Sequence, residues 1–286
     1  MAIRPKTLSA SICPVLIGTA MAFGDGPYHL PTAILCLLGA LSIQIGTNLA
    51  NDYFDFKNGA DNNERIGPTR VTQAGLISPK AMIIATAIAF SVSAIICYLL
   101  VLRGGWPIAT IGIFSILSGL LYTAGPKPLG YMGLGDIFVF VFFGPVAVAG
   151  TYYVQTFEIN LAVIAAGIAP GLIATAILAI NNLRDIDSDR KSGKNTLAVR
   201  FGRSFAISEY LFCILAASLM PVLIYTITDD HVQILVAVIT CLIAIPTIKT
   251  VASKIDGPSL NKALASTGQL LLIYSILFSI GWIWKL

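Results

Sequence analysis

Two short stretches of the chain place acids and amides at helical spacing. One reads Asn51-Asp52-Tyr53-Phe54-Asp55 and the other Asn181-Asn182-Leu183-Arg184-Asp185, each closing a long apolar run. Asn51 and Asp55 stand at i and i+4, so a helix carries them on one face, roughly 6 Å apart. Asn181, Asp185 and Asp189 continue the same pattern to i+8. Asp61 follows Gly59, a residue suited to ending the first helix and turning the chain back. Like charges at this spacing repel, and dehydrating carboxylates near a bilayer adds to the cost. A hard divalent cation offsets both. Mg²⁺ takes carboxylate and amide oxygens, keeps several waters and is commonly shared with substrate phosphates. Two such rows facing each other would hold metal on either side of a diphosphate. The plain alternative is a solvated loop in which these acids pair with Lys57, Arg65, Arg184 and Arg190. The recurrence of the pattern at two helix ends on one side favours the metal site. Asp52 and Asp187 fall off the main faces.

Cations accompany the acids. Arg65, Arg70, Lys127, Arg184, Lys194 and Arg200 could meet phosphate oxygens, the guanidinium by paired contacts. Lys127 stands out, because Tyr122-Thr123-Ala124-Gly125-Pro126-Lys127-Pro128 forms a rigid turn, with Asp136 just beyond it. Arg4 and Lys6 read as topological anchors. Other chemistries lack their residues: the five cysteines stand singly in apolar runs, and His29 and His231 have no ligating neighbour in sequence. No HExxH, GxSxG or GxxxxGK[ST] pattern occurs.

The elements that must position these groups are apolar. Hydrophobic residues make up 56% of the 286 and charged residues 11%, and the mean hydropathy is +0.84. A soluble domain carries about a quarter charged residues, so here the bilayer is the solvent. Runs of about 20 apolar residues mark spans, and nine are expected: 8–24, 31–50, 80–102, 106–123, 135–154, 161–180, 206–228, 232–252 and 264–284. Pro14 and the serines around it argue against the first run being a cleaved signal. With the N-terminus in the cytoplasm, all of the 18 Lys and Arg except Arg103 and Lys285 fall inside. Trp106, Trp282, Trp284, Tyr28, Tyr152, Tyr153 and Tyr225 then form an outer interfacial belt. The net charge of +4 thus reflects topology and a local site, not a nucleic-acid partner. The two long polar loops, 51–79 and 181–205, both come out cytoplasmic, and their shared Asn-x-x-x-Asp suggests a parallel internal repeat.

These motifs resemble the UbiA superfamily of intramembrane aromatic prenyltransferases, most closely its menaquinone branch. The likeness runs through Arg4-Pro5-Lys6-Thr7, Asn48 to Asp61, Gly67-Pro68-Thr69-Arg70-Val71, Leu121 to Asp136, and Asn181 to Gly202. The resemblance implies an all-α membrane protein, one domain over 1–286. About nine transmembrane helices would surround a central cavity, capped on the cytoplasmic face of the cell (inner) membrane by the two Asp-rich loops. It implies Mg²⁺ held by Asn51, Asp55, Asp61, Asp185 and Asp189. The wider superfamily often has Asp at the place of Gly59, so here the third acid is displaced to Asp61. The substrate-binding set becomes Asn51, Arg65, Arg70, Tyr122, Lys127, Asn181, Asn182, Arg184 and Lys194, with Asp55, Asp185, Asp189 and Lys127 serving the reaction. The substrates it implies are a polyprenyl diphosphate and 1,4-dihydroxy-2-naphthoate. A phytyl donor, or 4-hydroxybenzoate, homogentisate, haem or a chlorophyll precursor as acceptor, stays open. A secondary transporter would share internal repeats and intramembrane acids, but its acids tend to lie near the bilayer midplane.

Overall fold

The computed structural model describes residues 2–59, 67 and 70–284. Asp61 and Arg65 lie outside the described residues. Among the described residues every regular element is helical. The α-helices are α1 (Ser9–Asp25), α2 (Leu30–Lys57), α3 (Pro79–Leu121), α4 (Gly135–Phe142), α5 (Pro145–Thr156), α6 (Leu161–Arg184), α7 (Ile186–Lys191), α8 (Leu197–Thr228), α9 (Thr240–Ser253) and α10 (Gly257–Ile283). Short 3₁₀ turns cover Pro5–Thr7, Leu129–Tyr131 and Val232–Ile239. Side chains cap several starts. Ser78, Asn160, Thr196 and Asp256 each accept a hydrogen bond from an N–H of the first turn.

Among the described residues nine apolar segments are present, but the chain groups them differently from a list of separate spans. Among the same residues seven helical stretches are long and apolar enough to cross a bilayer, and the 17-residue α1 is a shorter apolar helix. The ninth segment arises because α3 is a hairpin. Gly105 takes φ 66° and ψ −155°, which breaks the helix. On a straight helix Cys97 and Gly112 would stand about 22 Å apart, yet a Cβ on Gly112 would lie 1.9 Å from the Cys97 sulfur. Gly105 therefore joins two antiparallel halves that match the expected runs 80–102 and 106–123. A second break divides the expected run 135–154 into α4 and α5 at Gly144. There the backbone lies so close to Gly167 and Gly171 of α6 that a Cβ on Gly144 would sit 2.6 Å from the Gly167 carbonyl. Small residues allow this approach, which substitutes dispersion contact for the hydrophobic effect that lipid does not provide.

The bundle has an apolar core and an apolar outer surface. On α3 Ile84, Ile88, Ile95 and Leu102 form one exposed stripe, whereas Met82, Thr86, Phe90 and Ser93 are buried. Such an outward apolar face is stable only against lipid, and the chain is a multi-pass membrane protein. α6 is the most enclosed of the long helices and forms the centre of the main core with α1, α8 and α10. α2 and α6 both end at one large cavity, so the chain delivers its two acidic tips to the same end of the bundle.

Candidate active site

The cavity of about 370 Å³ is walled by α1 to α6. It runs along α2 from Asp55 to Cys36, about 28 Å at the helical rise. That is close to the thickness of the hydrocarbon layer. Its inner end is closed by Val15, Cys36, Ile108 and Val154, which pack as a small apolar core. Phe138, Phe142, Phe143 and Ile43 line the middle, and the polar residues gather at the mouth.

Asn51 and Asp55 lie on one face of the last two turns of α2, both buried. The Asn51 carboxamide oxygen accepts from the Thr123 hydroxyl at 2.7 Å. Asp55 is held by three donors: the Arg70 guanidinium at 3.2 Å, the Tyr131 hydroxyl at 2.9 Å and the Lys194 ammonium at 3.0 Å. Across the mouth α6 ends at Asp185, where the backbone leaves helical geometry (φ −100°, ψ 11°). Asp189 therefore rides on the separate α7, although its N–H still reaches the Asp185 carbonyl at 2.8 Å. The expected unbroken row Asn181–Asp185–Asp189 is thus bent at its centre, and all three residues still line the cavity.

Other expected residues separate into cavity walls and supports. Arg70, Tyr122, Asn181, Asn182 and Lys194 line the mouth. Arg184 has partners of its own. It lies outside the lining, and its buried guanidinium grips both oxygens of Asp185, the Asn181 carboxamide oxygen at 2.9 Å and the Asn261 carboxamide oxygen of α10 at 2.6 Å. Its guanidinium holds the acid. Lys127 is exposed on the turn after α3 and also lies outside the lining. Arg200, likewise exposed, donates to the Met132 carbonyl at 2.7 Å. Asp52 accepts from the N–H groups of Val71 and Thr72 at 3.2 and 3.0 Å and anchors the segment that carries Arg70. Asp187 is exposed and pairs loosely with Arg190.

Two residues escaped the sequence. Arg4 lines the cavity with a left-handed backbone (φ 54°), and Asn48 pins its neighbour by donating to the Ile3 carbonyl at 2.9 Å. The motif Arg4-Pro5 was visible, but charge counting assigned it to topology. Tyr131 had no signal, because its partner Asp55 is distant in the chain.

Among the described residues no three acidic, His or Cys side chains converge as a closed metal cage. The donor set still fits Mg²⁺. This ion is usually held by one or two carboxylates, with water and substrate phosphate completing the shell, and Asn51, Asp55, Asp185 and Asp189 offer hard oxygens around one mouth.

A multi-pass helical membrane protein with one deep, mostly apolar cavity and an acid-and-amide mouth is the class that fold and site define. The chain belongs to the UbiA prenyltransferase family, whose model matches residues 11–276, and it is a prenyltransferase. A 1,4-dihydroxy-2-naphthoate octaprenyltransferase of Haemophilus influenzae is 38% identical, covering 97% of this chain and 93% of that protein. The Escherichia coli protein of the same name is 42% identical over 80% of this chain and 76% of its own length. Among solved structures, a UbiA homologue from Aeropyrum pernix superposes with a TM-score of 0.74 at 16% identity, covering 97% of this chain and 98% of that one. One from Archaeoglobus fulgidus, bound to GPP and Mg²⁺, gives 0.66 at 16% identity with the same coverage.

Proposed function

We propose that the protein transfers a polyprenyl group from its diphosphate to 1,4-dihydroxy-2-naphthoate, releasing diphosphate and CO₂ and giving demethylmenaquinone. The observation that carries this reading is the convergence of Asp55 and Asn51 with Asp185 and Asp189 on the mouth of one cavity. The relatives named as octaprenyltransferases for this naphthoate support the choice of acceptor. In this proposal the mouth lies on the cytoplasmic side of the cell membrane, a side that the distribution of cations supports.

Asn51, Asp55, Asp185 and Asp189 would hold Mg²⁺ against the diphosphate. When bound, the ion neutralises charge that builds on the leaving group. Arg70 and Lys194, both among the cations the sequence offered for phosphate oxygens, stand beside Asp55 and would meet the diphosphate there. Arg184 keeps Asp185 aimed at the mouth. Below them the phenylalanines exclude water that would quench an allylic cation, and the channel along α2 takes the isoprenoid tail. The electron-rich naphthoate ring attacks the freed allylic carbon at the mouth.

The test is product formation by the purified protein with Mg²⁺, dihydroxynaphthoate and a labelled prenyl diphosphate. Metal-dependent demethylmenaquinone is expected, and Asp55→Ala and Asp189→Ala each lower the rate by about a hundredfold or more while leaving the fold intact. Turnover with 4-hydroxybenzoate and not with the naphthoate would reassign the acceptor. Transport of a solute without bond cleavage would reject the enzyme.

A further inference from the structure

We infer that the cavity has two unlike walls, and that the wall carrying Ser11, Gln44, Thr47, Ser115 and Ser118 is the subsite for the polar groups of the aromatic acceptor. The inference rests on the proposed function and deepens it, by assigning residues to one of the two substrates.

A hydroxyl inside a lipid-crossing helix needs a partner, and the carbonyl four residues earlier is the nearest one. Thr86, Ser93, Thr175 and Ser275 obey this, donating to the carbonyls of Met82, Ala89, Gly171 and Leu271 at 2.8–2.9 Å. Among the described residues Ser11, Thr47, Ser115 and Ser118 make no such bond, and all four line the cavity. Ser11 is only 4% exposed, and its hydroxyl has no partner. The Gln44 carboxamide lines the cavity as well and bonds to no described residue. A polar group enclosed in this way is costly unless a ligand or water completes it.

Packing gathers these groups on one side. They come from α1, α2 and the second half of α3. A Cβ on Gly119 would lie 2.4 Å from the Thr47 hydroxyl oxygen, and Ser115 and Ser118 flank Gly119 on its own helix. Thr47 stands one turn of α2 below Asn51, and Gln44 about one turn below Thr47. Uncharged polar groups therefore continue directly beneath the charged mouth. The opposite wall, from α4 to α6, is apolar at this level, with Phe138, Phe142, Val146 and Leu178.

Each part of the two substrates has one wall that suits it. The diphosphate meets the acids' metal and the cations at the mouth. The isoprenoid chain makes no hydrogen bonds, so against the serine and glutamine side it would leave every polar group there unpaired. It fits the phenylalanine side and passes down to the apolar floor at Cys36. The acceptor carries hydroxyl and carboxylate oxygens, which uncharged donors and acceptors can pair. With those oxygens toward α1, α2 and α3, its ring lies under the diphosphate, where the allylic carbon is freed. A site built on such hydrogen bonds also rejects molecules that lack the matching groups, so this wall sets the choice of acceptor.

The test is steady-state kinetics of the full-length, detergent-purified protein with Mg²⁺, dihydroxynaphthoate and a labelled prenyl diphosphate, each substrate varied in turn. Gln44→Leu, Thr47→Val and Ser115→Ala remove polar atoms and add no bulk. Each is expected to raise KM for the naphthoate about fivefold, the worth of one hydrogen bond, with KM for the prenyl diphosphate changed by less than about twofold. Ser42→Ala, on the same helix as Gln44 but with its hydroxyl bonded to the Leu38 carbonyl at 2.7 Å, sets the background. A naphthoate KM that stays at this background in all three variants overturns the subsite. If release of free prenyl alcohol falls at the same time, the wall holds water only. A rise of both KM values in step also overturns it, because that reports a general loss of the cavity. Wild-type protein that does not prenylate the naphthoate rejects the proposed function itself, before any variant is compared.

Discussion

Asp52 lies next to the acid row and invites substitution as though it were a metal ligand, yet its geometry makes it a loop anchor. Its carboxylate is 2% exposed and accepts two backbone N–H groups, from Val71 at 3.2 Å and Thr72 at 3.0 Å. Hydrogen bonds to a charged group contribute about 1.5–3 kcal/mol each. Asp52→Asn keeps one acceptor and turns an NH₂ group toward the second N–H, which then loses its partner in a buried site. The expected loss is about 3 kcal/mol. By the scaling of soluble domains this corresponds to a fall in Tm of roughly 6–12 °C. Thermal scans in detergent at one fixed scan rate give the comparison with wild type. Activity should fall too, because Arg70 directly precedes the released segment and supports Asp55. The Mg²⁺ concentration for half-maximal rate should not change. An unchanged Tm together with a tenfold higher Mg²⁺ requirement would show that Asp52 binds the metal and that the anchor argument is mistaken.

Three further outcomes follow from single contacts. Gly112→Ala should lower thermal stability, since its Cβ would meet the Cys97 sulfur at 1.9 Å, and adding Cys97→Ala should recover most of the loss; additivity of the two changes in Tm would refute the contact. Arg184→Met removes the guanidinium that grips both oxygens of the buried Asp185 and should lower the Tm. Mg²⁺ with pyrophosphate should raise the Tm of that variant more than that of wild type, because the metal would offset carboxylate charge that Arg184 no longer offsets. Asp256 caps α10 and accepts from the Ser259 N–H at 2.9 Å, which holds its carboxyl below the ordinary value. Its stabilising contribution is therefore present above the unfolded-state value and lost as pH falls through the folded one, so the Tm advantage of wild type over Asp256→Asn should shrink on acidification.

Much of the architecture was legible because lipid imposes simple rules on sequence. Apolar length marks spans, and even the hairpin within α3 was visible as two runs separated by Arg103-Gly104-Gly105. The break at Gly144 was not, because Gly144-Pro145 lies within a run whose apolar character never lapses. What makes the break stable is the near contact with Gly167 and Gly171, and no local pattern encodes that. The acids were equally readable, since i, i+4 spacing has a direct meaning on a helix and Asn51, Asp55, Asp185 and Asp189 all reach the cavity.

The cations were harder for a physical reason. Topology draws nearly every Lys and Arg to one face, so charge and side alone do not distinguish a ligand-binding cation from an anchor or a support. Arg184, adjacent to an acid in sequence, turns back on that acid and on Asn261, whereas Lys194, at the end of an unremarkable loop, reaches across to Asp55. Arg4, counted as an anchor, lines the cavity, and Lys127, in the most ordered-looking turn, stays at the surface. In each case the deciding quantity is which acid or amide lies within reach after folding. A site of this kind is therefore written twice: its acids in local spacing, where helical periodicity exposes them, and its cations in tertiary contacts that only the packed bundle defines.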